Sequence, residues 1–206
     1  MEKIYQIRRI YTKKASFHNA TEMPTNWHEC WIFKEIREMI KILFICHGNI
    51  CRSPMSEFIL KDMVEKRGIQ SQFEIASAAT STEEIWNGRG NPIYPPAQAE
   101  LRRHGIGATA YTNFASKRAR QVTREDYEYY DYLLCADTNN IRNTMRITGA
   151  DTENKIRLLL DYAEDERFQG KSIADPWYSG NFEDTYRDVV NGCMGLLKTL
   201  ESEGKI

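Results

Sequence analysis

The chain has 206 residues, of which 41% are hydrophobic and 28% are charged, and its formal net charge is −1. This length is enough for one domain with a sizeable core and hardly enough for two. The nearly neutral charge gives no reason to expect nucleic acid or an anionic membrane surface as a partner, and no apolar run approaches the ~20 residues that a membrane span needs.

Residues 1–38 differ from the rest of the chain. They mix basic, aromatic and polar residues without a sustained period, they lack the apolar stretch of a secretory signal peptide, and only residues 31–36 suggest a short helix or docking segment. A clear strand pattern starts at Met39-Ile40-Lys41. We therefore predict a poorly ordered N-terminal extension over residues 1–38, dispensable for activity, and a single domain over residues 39–206.

From Lys41 onward the pattern alternates between strands and helices. Short apolar runs predict strands over residues 41–46, 73–76, 132–136 and 156–160. Helical patterns cover residues 54–67, 95–104, 123–129, 138–147 and 182–200, with long loops over residues 77–93 and 161–181. We expect Ser53 to cap the first helix and Thr123 to cap the third. The alternation predicts an α/β fold in which helices cover both faces of a parallel sheet.

The first predicted strand leads directly into the stretch CHGNICRSP, residues 46–54. If the strand ends at Cys46, the backbone N–H groups of the loop can turn inward as a cradle for an oxyanion, and the following helix N-terminus adds partial positive charge. Gly48 and Asn49 tolerate backbone conformations that most residues avoid. Arg52 offers a planar fork to two phosphate oxygens. The stretch therefore predicts an anion-binding loop beside a reactive thiol.

Several interpretations of this loop are open on the residues alone. A Cys at a helix N-terminus beside an Arg is held as thiolate and is a competent nucleophile, and the Ser53 hydroxyl can donate to its sulfur. A nucleotide-binding loop would need a Lys that this stretch lacks. A redox pair of Cys46 and Cys51 lacks the two-residue separation of thioredoxin-like motifs. If Cys46 were only a buried structural residue, the presence of Gly48, Asn49 and the Ser-Pro pair in this loop would not be explained. We therefore favour the interpretation of Cys46 as a nucleophile.

The five cysteines stand at positions 30, 46, 51, 135 and 193. Their number is odd and their spacing shows no paired metal ligands. This usage predicts free thiols in a reducing cytoplasm and neither a disulfide scaffold nor a metal site.

Four stretches, taken together, resemble the low-molecular-weight protein tyrosine phosphatases. ILFICHGNICRSP (42–54) is similar to the signature of that family, and ADPWYSGNFEDTYRDVVNGC (174–193) is similar to its Asp-Pro-aromatic-Tyr loop and closing helix. SAATS (77–81) and ARQVTREDYEYYDYLLCAD (119–137) match in the same order. The resemblance covers about residues 40–203. It implies a single three-layer α/β/α domain with a four-stranded parallel sheet of flavodoxin-like or Rossmann-like topology.

The resemblance also implies a role for each matching residue. Cys46 would be the nucleophile that forms a phosphocysteine, Arg52 the clamp on the phosphate, and Asp175 the acid that protonates the leaving oxygen and then the base that activates water. The other phosphate-binding loop residues would be His47, Gly48, Asn49, Ile50, Cys51 and Ser53. Such a reaction needs no metal and no other cofactor.

Further residues of the matching stretches are implied as supports. Asn49, Ser53 and Ser77 would brace the loop, and Trp177 and Tyr178 would form the aromatic rim of the substrate cleft. Cys51 would form a reversible disulfide with Cys46 that protects the nucleophile from irreversible oxidation. Two departures leave questions open: Lys117 stands where the family often has His, and an insertion at 86–91 lengthens the loop beside the cleft.

The function implied is hydrolysis of phosphotyrosine in proteins or peptides, with inorganic phosphate as product, by a cytoplasmic monomer or weak dimer. A phosphoarginine phosphatase is the nearer alternative, although such enzymes tend to carry Thr at the position of Ile50. Arsenate reductase is the weaker alternative, because it needs two further cysteines to carry a disulfide outward, and Cys135 and Cys193 do not form a neighbouring pair. An inactive phosphopeptide-binding module would not need the trio of Cys46, Arg52 and Asp175.

Overall fold

The computed structural model describes residues 39–206. The predicted extension over residues 1–38, with its short helix or docking segment, lies outside the described residues. The start of the domain at Met39 stays a prediction.

The described chain alternates strands and helices, as the sequence pattern predicts. Its strands are β1 (Ile40–Cys46), β2 (Phe73–Ala79), β3 (Ile85–Trp86), β4 (Arg89–Gly90), β5 (Tyr132–Cys135) and β6 (Ile156–Leu158). Its α-helices are α1 (Arg52–Lys66), α2 (Pro95–Arg103), α3 (Arg124–Tyr129), α4 (Thr138–Thr148), α5 (Pro176–Ser179) and α6 (Phe182–Ser202). Short 3₁₀ turns cover Gln70–Gln72 and Leu159–Tyr162.

The main sheet has four parallel strands in the order β2-β1-β5-β6. Ile42 of β1 lies opposite Ile75 on one side and Tyr132 on the other, so β1 is an inner strand. The small strands β3 and β4 form a separate antiparallel hairpin. The predicted four-stranded parallel sheet is therefore confirmed.

Alternate residues of β1 face opposite sides of the sheet and belong to two different cores. Ile42 and Phe44 pack into the larger core, together with apolar residues of α1 and α6 such as Met55 and Leu196. Leu43 and Ile45 pack into the smaller core, whose other members include Tyr127 of α3 and Ile141 of α4. Helices on both faces confirm the three-layer α/β/α architecture.

The start of α1 differs from our prediction. Cys51, not Ser53, is the cap residue, and its carbonyl accepts the Met55 N–H across 3.0 Å. Ser53 already lies inside the first helical turn, and its hydroxyl is 3.1 Å from the Cys46 sulfur. The capping prediction was wrong because the loop ends two residues earlier than the Ser-Pro pattern indicates. The Thr123 cap of α3 is confirmed, with Asp126 completing a capping box.

Two strand ends also differ from the prediction. Strand β2 continues to Ala79, because residues 77–79 pair in register with residues 44–46 of β1. The Ala79 N–H also donates to the Arg120 carbonyl at 2.7 Å, and the Ala79 carbonyl accepts the Val122 N–H at 2.9 Å. Strand β6 ends at Leu158, where the chain turns into the 3₁₀ segment and the Asp161 carboxylate accepts the Leu158 N–H at 3.1 Å. Within residues 39–206, no helix is both long and apolar enough to cross a membrane.

Candidate active site

The CHGNICRSP stretch forms the loop between β1 and α1 at the carboxyl edge of the sheet, where ligands bind in parallel α/β folds. Cys46 is the last residue of β1, and Arg52 is the first residue of α1. Both side chains are buried, as is Asn49. The loop therefore places a thiol and a guanidinium together in a protected position.

The backbone of this loop is shaped by Asn49 rather than by Gly48. Asn49 has a left-handed conformation with φ of 56°, while Gly48 is outside that region. A Cβ at Gly48 would lie 3.0 Å from Glu84 Cγ, so a larger residue there would require the Glu84 side chain to shift. Our expectation of a special backbone conformation thus holds for Asn49 and is wrong for Gly48.

The Cys46 sulfur receives two short polar contacts. The Asn49 backbone N–H donates to Sγ across 3.3 Å, and the Ser53 hydroxyl lies 3.1 Å from it. Hydrogen bonds to sulfur are stronger for the thiolate than for the thiol, and the N-terminus of α1 adds to this preference. The surroundings of Cys46 therefore suit a nucleophile.

Arg52 lies between two carboxylates. Its Nη1 is 2.7 Å from Asp137 Oδ2, and its Nη2 is 2.7 Å from Asp175 Oδ2. Burial alone would lower the pKa of Arg52, but the negative charges of Cys46, Asp175 and Asp137 raise it above its ordinary value. The guanidinium is thus a permanent cation, held in one orientation beside the sulfur.

Asp137 is a functional residue that sequence reasoning missed. It directly follows the apolar stretch of β5, and its Oδ1 also accepts the Asn140 N–H at 2.7 Å as the cap of α4. The signal that could have found it is its position after a strand that neighbours β1, since polar residues at such strand ends meet at one edge. Its second oxygen is therefore free to orient Arg52.

Asp175 sits at the N-cap of the four-residue helix α5. Its Oδ1 accepts the Trp177 N–H at 3.1 Å, and its Oδ2 pairs with Arg52. The Asp-Pro dipeptide, which alone indicates a simple turn, here starts a helix with Pro176 at its first position. The structure thus brings Asp175 to the loop that carries Cys46, 129 residues earlier in the chain.

The three predicted support residues lie in one hydrogen-bonded group. The Asn49 side-chain amide donates to the hydroxyls of Ser53 and Ser77, in each case across 2.8 Å, and its oxygen accepts the Arg120 N–H at 3.2 Å. The Ser53 hydroxyl is also within 3.3 Å of the Ala78 carbonyl. The left-handed Asn49 conformation is therefore fixed by side-chain contacts to α1, to β2 and to the backbone at Arg120.

A family model described as low molecular weight phosphotyrosine protein phosphatase matches residues 41–206 of the chain. The chain belongs to this family. The resemblance inferred from the four sequence stretches is therefore confirmed.

Relatives within the family match over most of their length. The low molecular weight protein-tyrosine-phosphatase YfkJ of Bacillus subtilis is 36% identical over 168 residues, which are 82% of this chain and 100% of that protein. The human low molecular weight phosphotyrosine protein phosphatase is 36% identical over 161 residues, covering 76% of this chain and 93% of the human one.

Solved structures show the same fold. The crystal structure of YfkJ superposes with a TM-score of 0.70 at 35% identity, covering 81% of this chain and 97% of that one. The crystal structure of a Drosophila arginine phosphatase superposes with a TM-score of 0.65 at 27% identity, covering 79% of this chain and 98% of that one. The fold of this chain is thus shared with one protein named as a tyrosine phosphatase and one named as an arginine phosphatase.

Lys117 stands where the family often has His, and its contacts show how this side chain supports the loop. Its Nζ is 2.9 Å from Glu57 Oε2 and donates to the Ser77 carbonyl at 3.0 Å. The Ser77 hydroxyl donates to the same Glu57 oxygen at 2.6 Å, and Lys61 contacts the other oxygen at 2.6 Å. A continuous set of contacts therefore runs from Lys117 through Glu57 and Ser77 to Asn49.

Glu57 is a second residue that sequence reasoning missed, because it lies within the otherwise apolar face of α1. Burial alone would raise the pKa of Glu57, but Lys117 and Lys61 hold it below its ordinary value. The Glu57 carboxylate is thus charged inside the protein. It accepts the hydrogen of the Ser77 hydroxyl, so that the Ser77 oxygen is left to accept from the Asn49 amide.

The predicted rim residues stand on α5 beside the acid. Trp177 is 61% exposed and Tyr178 is 88% exposed, so both aromatic rings are available to a substrate. The His47 imidazole is held by Glu83, with its Nε2 2.9 Å from Glu83 Oε2 in the loop before the β3-β4 hairpin. This placement agrees with His47 as a loop spacer rather than a catalytic base.

Cys51 lies in the same loop as Cys46, and both are free thiols in the structure. Burial, together with the negative charges of Cys46 and Asp175, raises the pKa of Cys51 to about 12. Cys51 is therefore held as a thiol, and its predicted disulfide with Cys46 stays a prediction.

A potential metal-binding group exists elsewhere among the described residues. Glu100 of α2, His104 just after it and Glu183 of α6 bring their ligand atoms within 4.8 Å of one another. The Arg103 guanidinium already pairs with both carboxylates, and the His104 ring is stacked on Tyr186. The three side chains therefore already have protein partners, and they form part of the packing of α2 against α6.

Proposed function

We propose that the protein hydrolyses phosphotyrosine in proteins or peptides through a phosphocysteine at Cys46. The observation that carries this proposal is the convergence of Cys46, Arg52 and Asp175 in one loop-centred site, with Arg52 paired to Asp175 at 2.7 Å. The relatives from Bacillus subtilis and human are both named as phosphotyrosine phosphatases, which supports the same substrate class.

The first step transfers the phosphoryl group to sulfur. The loop N–H groups and Arg52 hold the phosphate oxygens, and the Cys46 thiolate attacks phosphorus opposite the tyrosyl oxygen. The S–P bond forms while the P–O bond breaks. Asp175, in its protonated form, gives its proton to the departing phenolate oxygen, so that neutral tyrosine leaves and Asp175 remains as carboxylate.

The second step returns the enzyme to its starting state. The Asp175 carboxylate takes a proton from a water molecule whose oxygen attacks phosphorus, and inorganic phosphate leaves as the S–P bond breaks. The sulfur departs as thiolate. The Ser53 hydroxyl, 3.1 Å from Sγ, stabilises that charge by donating a hydrogen bond.

The exposed rings of Trp177 and Tyr178 support an aryl phosphoester as substrate, because they flank the acid and can pack on a tyrosine ring. Phosphoarginine is the alternative substrate, since one structural neighbour is an arginine phosphatase. Arsenate reduction is disfavoured, because besides the loop cysteines Cys46 and Cys51 the described part of the chain has only Cys135 and Cys193, and both are fully buried and unable to pass a disulfide outward.

Three finer points belong to the same proposal. The catalytic domain begins near Met39, with residues 1–38 as a dispensable extension, which agrees with a family match that starts at residue 41. The protein works in the cytoplasm, as its free thiols suggest, and acts as a monomer or weak dimer. Oxidation of Cys46 by peroxide leads to a Cys46–Cys51 disulfide, with water released at each of the two stages.

The substrate class is tested by steady-state hydrolysis of a phosphotyrosine peptide and a phosphoarginine peptide of the same sequence, with arsenate reduction measured in parallel. We expect a higher kcat/KM for the phosphotyrosine peptide and loss of all hydrolysis in Cys46→Ser. A preference for phosphoarginine would favour the alternative substrate, and hydrolysis that survives Cys46→Ser would contradict the mechanism.

A further inference from the structure

Tyr94 lies where the phosphate-binding loop meets the segment that carries Asp175. Its backbone N–H donates to the Ile50 carbonyl across 2.9 Å, which ties it to the loop. Its ring packs against Trp177 with the centroids 5.7 Å apart, and against Phe182 with the centroids 6.1 Å apart. Tyr94 thus contacts both halves of the site, yet the mechanism described above gives it no role.

The segment that carries Asp175 is short and exposed. Helix α5 has four residues and ends at Gly180, whose left-handed φ of 69° turns the chain toward α6. A single helical turn has little stability of its own, so its position depends on the side chains that pack against it. For α5, the aromatic contact between Trp177 and Tyr94 is such an anchor.

The position of Trp177 is linked directly to that of the acid. The Trp177 backbone N–H donates to Asp175 Oδ1 across 3.1 Å. A shift of Trp177 therefore shifts the hydrogen bond that orients the carboxyl group. Small displacements of a proton donor are costly, because proton transfer needs the donor within hydrogen-bond reach of the accepting oxygen.

We propose that Tyr94 is a positioning residue for the general acid. Its ring, held to the phosphate-binding loop through the Ile50 carbonyl, fixes Trp177 and so aims the Asp175 carboxyl at the leaving oxygen. This inference rests on the proposed function. Tyr94 acts through Trp177 and does not itself touch the reacting atoms.

A badly aimed acid slows only those reactions whose leaving group needs a proton. Phenyl phosphate releases a basic phenolate, whereas dinitrophenyl phosphate releases a weakly basic one that leaves without protonation. Loss of the Tyr94 ring should lower kcat/KM for phenyl phosphate by about threefold to tenfold, the factor that one aromatic pair contributes, and change it for dinitrophenyl phosphate by less than about twofold. The ratio of the two kcat/KM values is therefore the readout.

The test compares Tyr94→Ala, Tyr94→Leu and Tyr94→Phe in the full chain. Tyr94→Ala and Tyr94→Leu should both lower the ratio of kcat/KM for phenyl phosphate to kcat/KM for dinitrophenyl phosphate. Tyr94→Phe, which keeps the ring, should have the wild-type ratio. Tyr94→Leu keeps apolar bulk and decides the question if Tyr94→Ala does not fold. Tyr129→Ala, at an exposed tyrosine on α3 that is hydrogen-bonded to Glu74, is the matched control and should leave the ratio unchanged.

A double-mutant cycle with Trp177→Ala tests the route of the effect. If Tyr94 acts through Trp177, the double variant Tyr94→Leu/Trp177→Ala should have the same ratio as Trp177→Ala alone. Equal losses on both esters, additive effects in the cycle, or an unchanged ratio in Tyr94→Leu would each overturn this inference while the wild type still hydrolyses both esters through Cys46. A wild type that hydrolyses neither ester would overturn the proposed function itself, and this inference with it.

Discussion

Arg52 and Asp175 form an ion pair in which the guanidinium Nη2 lies 2.7 Å from the carboxylate Oδ2. The residue proposed to hold the phosphate and the residue proposed as the acid are therefore in direct contact. A phosphate dianion that binds to Arg52 replaces the Asp175 carboxylate as partner of the guanidinium.

Asp175→Asn should separate catalysis from phosphate binding. We expect kcat/KM for phenyl phosphate to fall by about 10²- to 10³-fold, because the proton donor is lost. Inhibition by inorganic phosphate should be unchanged or stronger, because a competing carboxylate leaves Arg52. Asp165→Asn, at a carboxylate paired with Arg167 in the same long loop, is the control and should behave as wild type. Normal turnover in Asp175→Asn would remove the role of this residue.

Lys117→Met should destabilise the protein by about 2–3 kcal/mol, because it leaves the buried Glu57 carboxylate with Lys61 as its remaining ionic partner. Turnover should fall as well, since Glu57 orients Ser77 toward Asn49. The measurements are urea unfolding and kcat. Lys198→Met, at a surface pair with Glu164, should cost less than about 1 kcal/mol. Equal effects of the two substitutions would contradict a special role for Lys117.

The stability that Glu57 contributes should depend on pH. Its pKa in the folded protein lies below the ordinary value of 4.5, so the contribution is complete above that pH and is lost as the pH falls through the folded pKa. We expect wild type to exceed Glu57→Gln by about 2 kcal/mol near neutral pH, with a smaller difference below about pH 4. Urea unfolding at both pH values measures this. The surface substitution Glu201→Gln should show little difference at either pH, and a Glu57→Gln difference that grows in acid would contradict the assignment.

The two cysteines of the loop should react at different rates. The pKa of Cys51 is raised to about 12, so its thiolate is scarce at neutral pH. The Cys46 sulfur, in contrast, accepts the Asn49 backbone N–H and lies at the end of β1 facing the loop, as a nucleophile should. Iodoacetate should therefore modify Cys46 first, and inorganic phosphate should protect it. Peptide mapping after timed alkylation measures each cysteine separately. Faster labelling of Cys51 than of Cys46 would show that the nucleophile has been misassigned.

The parts of the fold and site that local sequence determines were predictable. The strand before Cys46, the loop after it and the presence of a following helix were predicted from an apolar run, an Asn that tolerates a left-handed backbone and an apolar helical face, although the helix begins two residues before the Ser-Pro pair indicates. Asp175 could be found because the stretch around it resembles the Asp-Pro-aromatic-Tyr loop of the family. Each of these signals is confined to a few consecutive residues.

Residues whose role depends on distant neighbours could not be predicted in this way. Asp137 reaches Arg52 because β5 lies beside β1, and Lys117 reaches Glu57 because the folded chain brings both beside Ser77 of β2. The end of β2 was predicted too early because residues 77–79 have small side chains, and their strand conformation depends on pairing with residues 44–46 of β1. The tertiary fold brings these residues together, and the local sequence pattern does not reveal which distant segments become neighbours.

The most direct test of the central claim is mass spectrometry of the peptide that contains Cys46, isolated by rapid acid denaturation during turnover of a phosphotyrosine peptide. The proposed mechanism predicts a phosphoryl group on Cys46 of the wild type and none in Cys46→Ser. In Asp175→Ala, a substrate with a good leaving group should still phosphorylate Cys46, and more of the phosphocysteine should accumulate. Turnover without phosphorylation of Cys46, or a phosphoryl group on a different residue, would contradict it.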